Sequence, residues 1–296
     1  MSLKSFLKDK EVKKKFRDTF PKPRSPIKKI ILAPPITKNH PLIGTAFDYL
    51  LRFYLKRLNP KSIDGRWVAE SAFFGSSLGF GRQWTLAEKI LKNAKRNYRA
   101  YLKTGEIKGA LLKSCLLLAQ LDGVFRANVS NNLGIIDKND ILDLKKLISI
   151  VDPNLFKAKE LCLLNPTFGE ASNMVGGADA DLVIDDMLID IKTSKYSELS
   201  RQSFDQLIGY YCLYEIGSVK MVGRDPAKLI SLPKRHRIRR LAIYYSRFGY
   251  LHVMGVKDLI NTAEFPSFLV WFKKKASSMF PQRLNTRRKQ IYLGEF

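Results

Sequence analysis

Three residues of the stretch 175–192 (VGGADADLVIDDMLIDIK) are of types that do hydrolytic chemistry together: Asp181, Asp190 and Lys192. The stretch reads as two short strands, 181–184 and 187–192, joined at Asp185-Asp186. With a two-residue hairpin loop, Ile184 faces Met187, Val183 faces Leu188, Leu182 faces Ile189, and Asp181 stands opposite Asp190. Side chains alternate along a strand, so Asp190 and Lys192 share a face. Like charges placed opposite each other destabilise a strand pair, and a divalent cation between them removes the conflict. Magnesium takes oxygen ligands and is commonly held by one or two carboxylates plus water and substrate phosphate. The main-chain carbonyl of Ile191 is a further candidate ligand. Such an ion polarises a scissile phosphate and lowers the pKa of its bound water, and Lys192 is placed to steady the attacking water or the developing negative charge. The plain alternative is a solvated acidic hairpin, which is what Asp185 and Asp186 suggest by themselves. The apolar Leu182, Val183, Ile184, Leu188, Ile189 and Ile191 instead demand at least one buried face.

The rest of the composition narrows the substrate. The 296 residues carry a formal charge of +25, with 45% hydrophobic residues, enough for a sizeable core. A polyanion is the natural partner, because neutralising phosphates releases counterions. Glycosidases also use paired carboxylates, but this charge and the adjoining lysine argue against a neutral sugar polymer. An anionic membrane surface or a ribosome-like basic surface is the competing explanation of the charge. There is no apolar run of about eighteen residues, so no membrane span is expected. The lysine-rich N-terminus has no apolar stretch behind it and does not resemble a secretory signal. Cys115, Cys162 and Cys212 have neither disulfide-framework nor metal spacing, and His40, His236 and His252 share no ligand spacing. A reducing, intracellular setting fits.

Several elements must position these groups. Residues 1–30 hold eleven Lys or Arg against three acids, an arm suited to phosphates or a disordered leader, with a short helix near 8–17. Apolar residues recur at helical spacing over 42–58, with Asp48 off the stripe. Residues 60–160 read as mainly helical: 62–75, 85–103, 109–128, 140–150 and 153–161. The Gly/Ser-rich loop 75–81 lacks the ending of a phosphate-binding loop. A strand at 161–166 precedes the hairpin, and a helix over 203–216 follows it, with Gln206 and Tyr210 four apart on one face. A second hairpin spans 239–245 and 250–256, preceded by a basic loop at 234–240. A last helix at 265–279 leads to a tail with Arg283, Arg287, Arg288 and Lys289.

Gly177-x3-Asp181, Asp190-Ile191-Lys192-Thr193 and Gln206-x3-Tyr210, in that order, resemble the PD-(D/E)XK nuclease superfamily, especially its RecB-type exonuclease branch. The resemblance implies a mixed α/β, restriction-endonuclease-like fold with an αβββαβ core, a largely helical insertion and basic terminal extensions. It implies Asp181 and Asp190 as metal-binding acids, Lys192 as catalytic lysine, and Gln206 and Tyr210 as residues that support the site. The first helix of that branch often begins Gly-Thr and carries a histidine four residues after the glycine. Here Gly44-Thr45-Ala46-Phe47-Asp48 is similar, with aspartate at the histidine position, so Asp48 is a candidate third ligand. Glu160 and Glu170 are the alternatives. The scattered cysteines do not support the iron–sulfur cluster found in part of the branch.

The expected organisation is a basic arm at 1–36 and a nuclease-like domain at 37–296. Within that domain lie a helical insertion at about 60–160, a catalytic core at about 161–256, and a basic C-terminal helix and tail at 257–296. The expected function is Mg2+- or Mn2+-dependent hydrolysis of DNA. A non-catalytic nucleic-acid-binding protein of the same fold and a ribonuclease are the other readings.

Overall fold

Alternating apolar residues on both sides of the acidic hairpin bury it at the centre of a mixed α/β fold. The computed structural model describes residues 2–24, 29–70, 81–127, 133–222, 229–231 and 236–281. In chain order the elements are α1 (Leu3–Phe6), α2 (Lys10–Thr19), α3 (His40–Leu58), β1 (Ile63–Asp64), α4 (Gly81–Thr104), α5 (Gly109–Ala127), α6 (Lys138–Ser149), β2 (Cys162–Leu164), α7 (Glu170–Met174), β3 (Leu182–Ile184) and β4 (Met187–Lys192). There follow α8 (Arg201–Gly217), β5 (Lys220–Val222), β6 (Leu229–Ser231), β7 (Arg240–Tyr245), β8 (Tyr250–Gly255), α9 (Val256–Leu259) and α10 (Phe265–Met279).

Six strands form one sheet in the order β1-β2-β3-β4-β7-β8, while β5 and β6 form a separate two-stranded ladder. β2, β3 and β4 run antiparallel in succession. β4 then pairs in parallel with β7, a connection that needs a crossover, and α8 lies in that crossover. Both sheet faces are covered. Val183, Leu188, Leu241 and Ile243 join α8, α1, α2 and α10 in one apolar core. Leu182, Ile184, Met187, Ile189, Ala242 and Tyr244 pack with helices α3, α4, α5 and α6 in the other. Asp190 and Lys192 share the parity of Leu188, so they fall on the α8 side.

The N-terminal segment departs from the expected arm over residues 2–24. It folds into α1 and α2, whose Leu3, Phe6, Val12 and Phe16 are buried, as is Phe20 just beyond. Four edge-to-face ring pairs zip it to α10: Phe6–Phe272 at 5.0 Å, Phe16–Phe268 at 5.2 Å, Phe20–Phe268 at 4.6 Å and Phe20–Phe265 at 6.3 Å, the geometry that aromatic quadrupoles favour. Lys275 adds ion pairs to Glu11 and Asp9. Lys13, Lys14, Lys15 and Arg17 remain exposed on the opposite side of α2. The segment's end is fastened near the start of α8, where Lys22 Nζ donates to the Leu199 carbonyl and Arg201 to that of Phe20.

Other expectations need adjusting. The helix expected over 62–75 begins only at 68, residues 63–64 forming β1 parallel to β2, and 71–75 lie outside the described residues. The helical piece expected at 153–161 is a single 3-10 turn, Pro153–Leu155. Beyond it the backbone amides of Lys159, Glu160 and Leu161 are taken by the Asp185 carboxylate at 2.9–3.1 Å. Asp185 is therefore a clamp as well as a turn residue, in the left-handed conformation (φ 52°) that Asp tolerates. Asp186 pairs with Arg240. The 75–80 part of the Gly/Ser-rich loop, residues 234–235 of the basic loop and the arginine-rich tail lie outside the described residues. No described helix is long and apolar enough to cross a membrane.

Candidate active site

The hairpin register is Leu182–Ile189, Val183–Leu188 and Ile184–Met187. Continued by one step, it sets Asp181 against Asp190. The Ile191 amide donates to Asp181 Oδ2 at 2.6 Å, which ties the first acid to the strand carrying the second. Asp190 is 1% exposed, and Lys192 Nζ lies 2.6 Å from its Oδ2. The same ammonium donates to Gln206 Oε1 at 3.1 Å, and Gln206 Nε2 donates to the Tyr210 hydroxyl at 2.7 Å. One polar chain thus runs from Asp190 through Lys192 to two residues of α8. That helix starts where it must for this to happen: the Ser200 hydroxyl caps it, accepting the Ser203 amide. Ser246, at the β7 end, lies 3.0 Å from Thr193 Oγ1 and 3.3 Å from the Lys192 carbonyl, fastening the end of β4.

The first turns of α3 reach this point from the opposite layer. A Cβ at Gly44 would stand 3.9 Å from the Thr193 Cβ, so the helix passes close to the end of β4. One turn later Asp48 points its carboxylate to Arg52, four residues on, and the Asp48 carbonyl also accepts from Arg52 Nε. Arg52 is 7% exposed and lies over the Tyr49 ring, 4.6 Å from its centroid. The Tyr49 hydroxyl in turn donates to Asp122 and accepts the Ala69 amide.

These groups act on one another. Burial, then the negative charges of Asp190 and Asp48, push the Asp181 carboxyl up to about 7. Burial alone would lower Lys192, but Asp190 and Asp181 outweigh it and hold the ammonium above its ordinary value. Burial pushes the Tyr210 hydroxyl well up, and Asp190 and Asp181 add to it. Arg52 likewise stays charged: burial opposes the charge, whereas Asp48, Tyr49 and Asp181 favour it. A low-dielectric setting with clustered acids is where perturbed carboxyls mark functional sites.

Of the three candidates for a third acid, Asp48 is the one whose charge reaches Asp181. Glu170 opens α7 and lines a cavity with Tyr214, Glu215 and Lys220, beyond Tyr210 toward the end of α8. Glu160 sits at the turn end of the hairpin, paired with His236. Neither charge is among those acting on Asp181. Ile191 meets the cluster through its amide.

Two opposed carboxylates are hard oxygen donors that suit Mg2+ or Mn2+. As they stand, no three acidic, histidine or cysteine side chains among the described residues are grouped to hold a metal ion. Arg52 draws Asp48 aside and Lys192 holds Asp190. The donor chemistry therefore fits a divalent ion at Asp181 and Asp190, while Asp48 is engaged by Arg52 through Oδ2. Sequence reasoning missed Arg52. Its signal was a lone cation between Leu51 and Phe53 on an otherwise buried part of α3. The cysteines are core residues whose thiols burial pushes up. No family model, curated protein or solved structure matches the chain.

Proposed function

We propose that this protein is a metal-dependent nuclease that hydrolyses phosphodiester bonds of DNA, with a restriction-endonuclease-like core. The observation that carries the reading is the chain Asp181, Asp190, Lys192, Gln206, Tyr210 gathered on one side of the hairpin. The order of elements supports it: α3, then the antiparallel β2, β3 and β4, then α8, then β7 parallel to β4. The +25 charge supports a polyanionic substrate.

Asp181 and Asp190 would hold Mg2+ or Mn2+, with the Ile191 carbonyl and Asp48 as further ligands. Bound there, the ion supplies positive charge at the scissile phosphate and a water of lowered pKa. Lys192, kept protonated by Asp190, presents a fixed ammonium to the negative charge that grows on the phosphate. Gln206 fixes the direction of that ammonium, and Tyr210 fixes Gln206. An intracellular location belongs to the same proposal.

The test is a panel of linear double-stranded DNA, single-stranded DNA and RNA incubated with the purified protein, with Mg2+ or with chelator. The expected result is Mg2+-dependent loss of DNA. Cleavage of RNA alone would convert the reading to a ribonuclease. The second reading is a non-catalytic nucleic-acid-binding protein. The Asp48–Arg52 and Asp190–Lys192 pairs favour it, because each leaves an acid already neutralised.

A further inference from the structure

We propose that Arg52 is a resident counter-cation of this site, occupying the Asp48 carboxylate and restraining divalent-metal binding until Asp48 is released. The inference rests on the metal reading above.

Several observations lead there. Arg52 is buried in the helix that carries Asp48, and a guanidinium is a poor choice for the interior unless a charge holds it. Its partner is the acid whose field also reaches Asp181. The Arg52 charge itself acts on Asp181, so it stands among the same carboxylates that would hold the ion. Stacking on Tyr49, which is anchored in turn by Asp122 and the Ala69 amide, fixes the guanidinium in place. A rigid positive charge beside a cation site lowers that site's affinity for a second cation through simple Coulomb repulsion. It also supplies, in the metal-free protein, the neutralisation that three neighbouring aspartates need. The positioning role is distinct from catalysis: Arg52 acts on the ion by occupying Asp48 and by the repulsion of its own charge.

The measurement is calorimetric titration of the full chain with MnCl2, together with thermal midpoints with and without Mn2+. Arg52→Gln is expected to bind Mn2+ about tenfold more tightly or better. Its midpoint is expected to be lower without metal and to rise further than that of the natural protein when Mn2+ is added. Arg52→Lys, which keeps the charge, should stay within about threefold of the natural affinity. A second comparison removes dependence on the folding of Arg52→Gln. Asp48→Asn leaves the guanidinium uncompensated, and the Asp48→Asn/Arg52→Gln double variant, neutral at both positions, should regain about tenfold in Mn2+ affinity over Asp48→Asn. Equal or weaker binding by Arg52→Gln, or a double variant no better than Asp48→Asn, overturns the role of Arg52 while Asp190→Asn still abolishes binding. If the natural protein binds no Mn2+ at all, the metal reading itself fails and takes this proposal with it.

Discussion

Lys192 holds its ammonium 2.6 Å from the carboxylate of Asp190, which lies two residues earlier on the same strand and the same face of the sheet. Strand periodicity alone puts them together, and burial makes the pairing matter. The ammonium neutralises one of two facing acids and also donates to Gln206. Replacing Lys192 by Met should leave Asp190 buried beside Asp181 without its counter-charge. The metal-free variant is expected to lose roughly 3 kcal/mol of stability in urea titration, and Mg2+ should restore part of the loss. A variant as stable as the natural protein without metal would mean that Asp190 has another counter-charge.

Asp181 makes stability depend on pH in an unusual direction. Its carboxyl is raised to about 7 in the fold, against about 4 in an unfolded chain. The folded state therefore binds the proton more tightly. Its contribution is fully present below about pH 4 and is lost as pH rises toward 7. The thermal midpoint of metal-free protein should fall between about pH 4 and pH 7, and Asp181→Asn should flatten that fall. Mn2+ competes with the same proton, so its affinity should climb over the same interval.

Arg247 is almost completely buried and forms a two-point ion pair with Asp143 of α6, at 2.8 and 3.0 Å, besides donating to the Ala33 carbonyl. This pair joins the turn after β7 to the helical layer and to the segment entering α3. Arg247→Met is expected to cost about 3–5 kcal/mol by leaving the buried Asp143 with only the Ile36 amide and no counter-charge. The double variant Arg247→Met/Asp143→Leu should recover most of it. Denaturant midpoints of the single and double variants decide the matter.

The terminal helices carry two separable properties. Phe16→Ala should destabilise by about 3–5 kcal/mol, since Phe16 meets both Phe268 and Phe272. Reversing exposed charges at Lys13, Lys14, Lys273 and Lys274 should leave the fold intact and weaken DNA binding. Anisotropy titrations across salt should then show a shallower slope, by roughly 0.9 for each phosphate that is no longer neutralised. An unchanged slope would place the nucleic-acid surface elsewhere.

How far the sequence foretold this molecule depended on whether the signal was local. The acidic hairpin was legible because two continuous apolar runs broken by a two-residue acidic turn define the register without outside help. The helix carrying Gln206 and Tyr210 was legible from the helical spacing of Phe204, Leu207, Ile208 and Tyr211, although it starts at Arg201 rather than at 203. The N-terminal helices were not. Phe6, Phe16 and Phe20 stand among lysines, and their partners Phe265, Phe268 and Phe272 lie some 250 residues away. Only tertiary pairing turns them into a core. β1 is two residues long and pairs through backbone, which leaves no side-chain signature. Asp185 looked like an ordinary turn acid because the amides that it clamps are more than twenty residues upstream. Arg52 is a neighbour of Asp48 by helical spacing, yet its bearing on Asp181 exists only once α3 is laid against the end of β4.

The most direct measurement is the single-turnover cleavage rate of linear DNA in Mg2+ by the natural protein and by Asp190→Asn, with DNA binding measured alongside. Mg2+-dependent cleavage is expected to fall by about a thousandfold or more in the variant, with DNA affinity nearly unchanged. Equal rates in the two proteins would contradict that expectation.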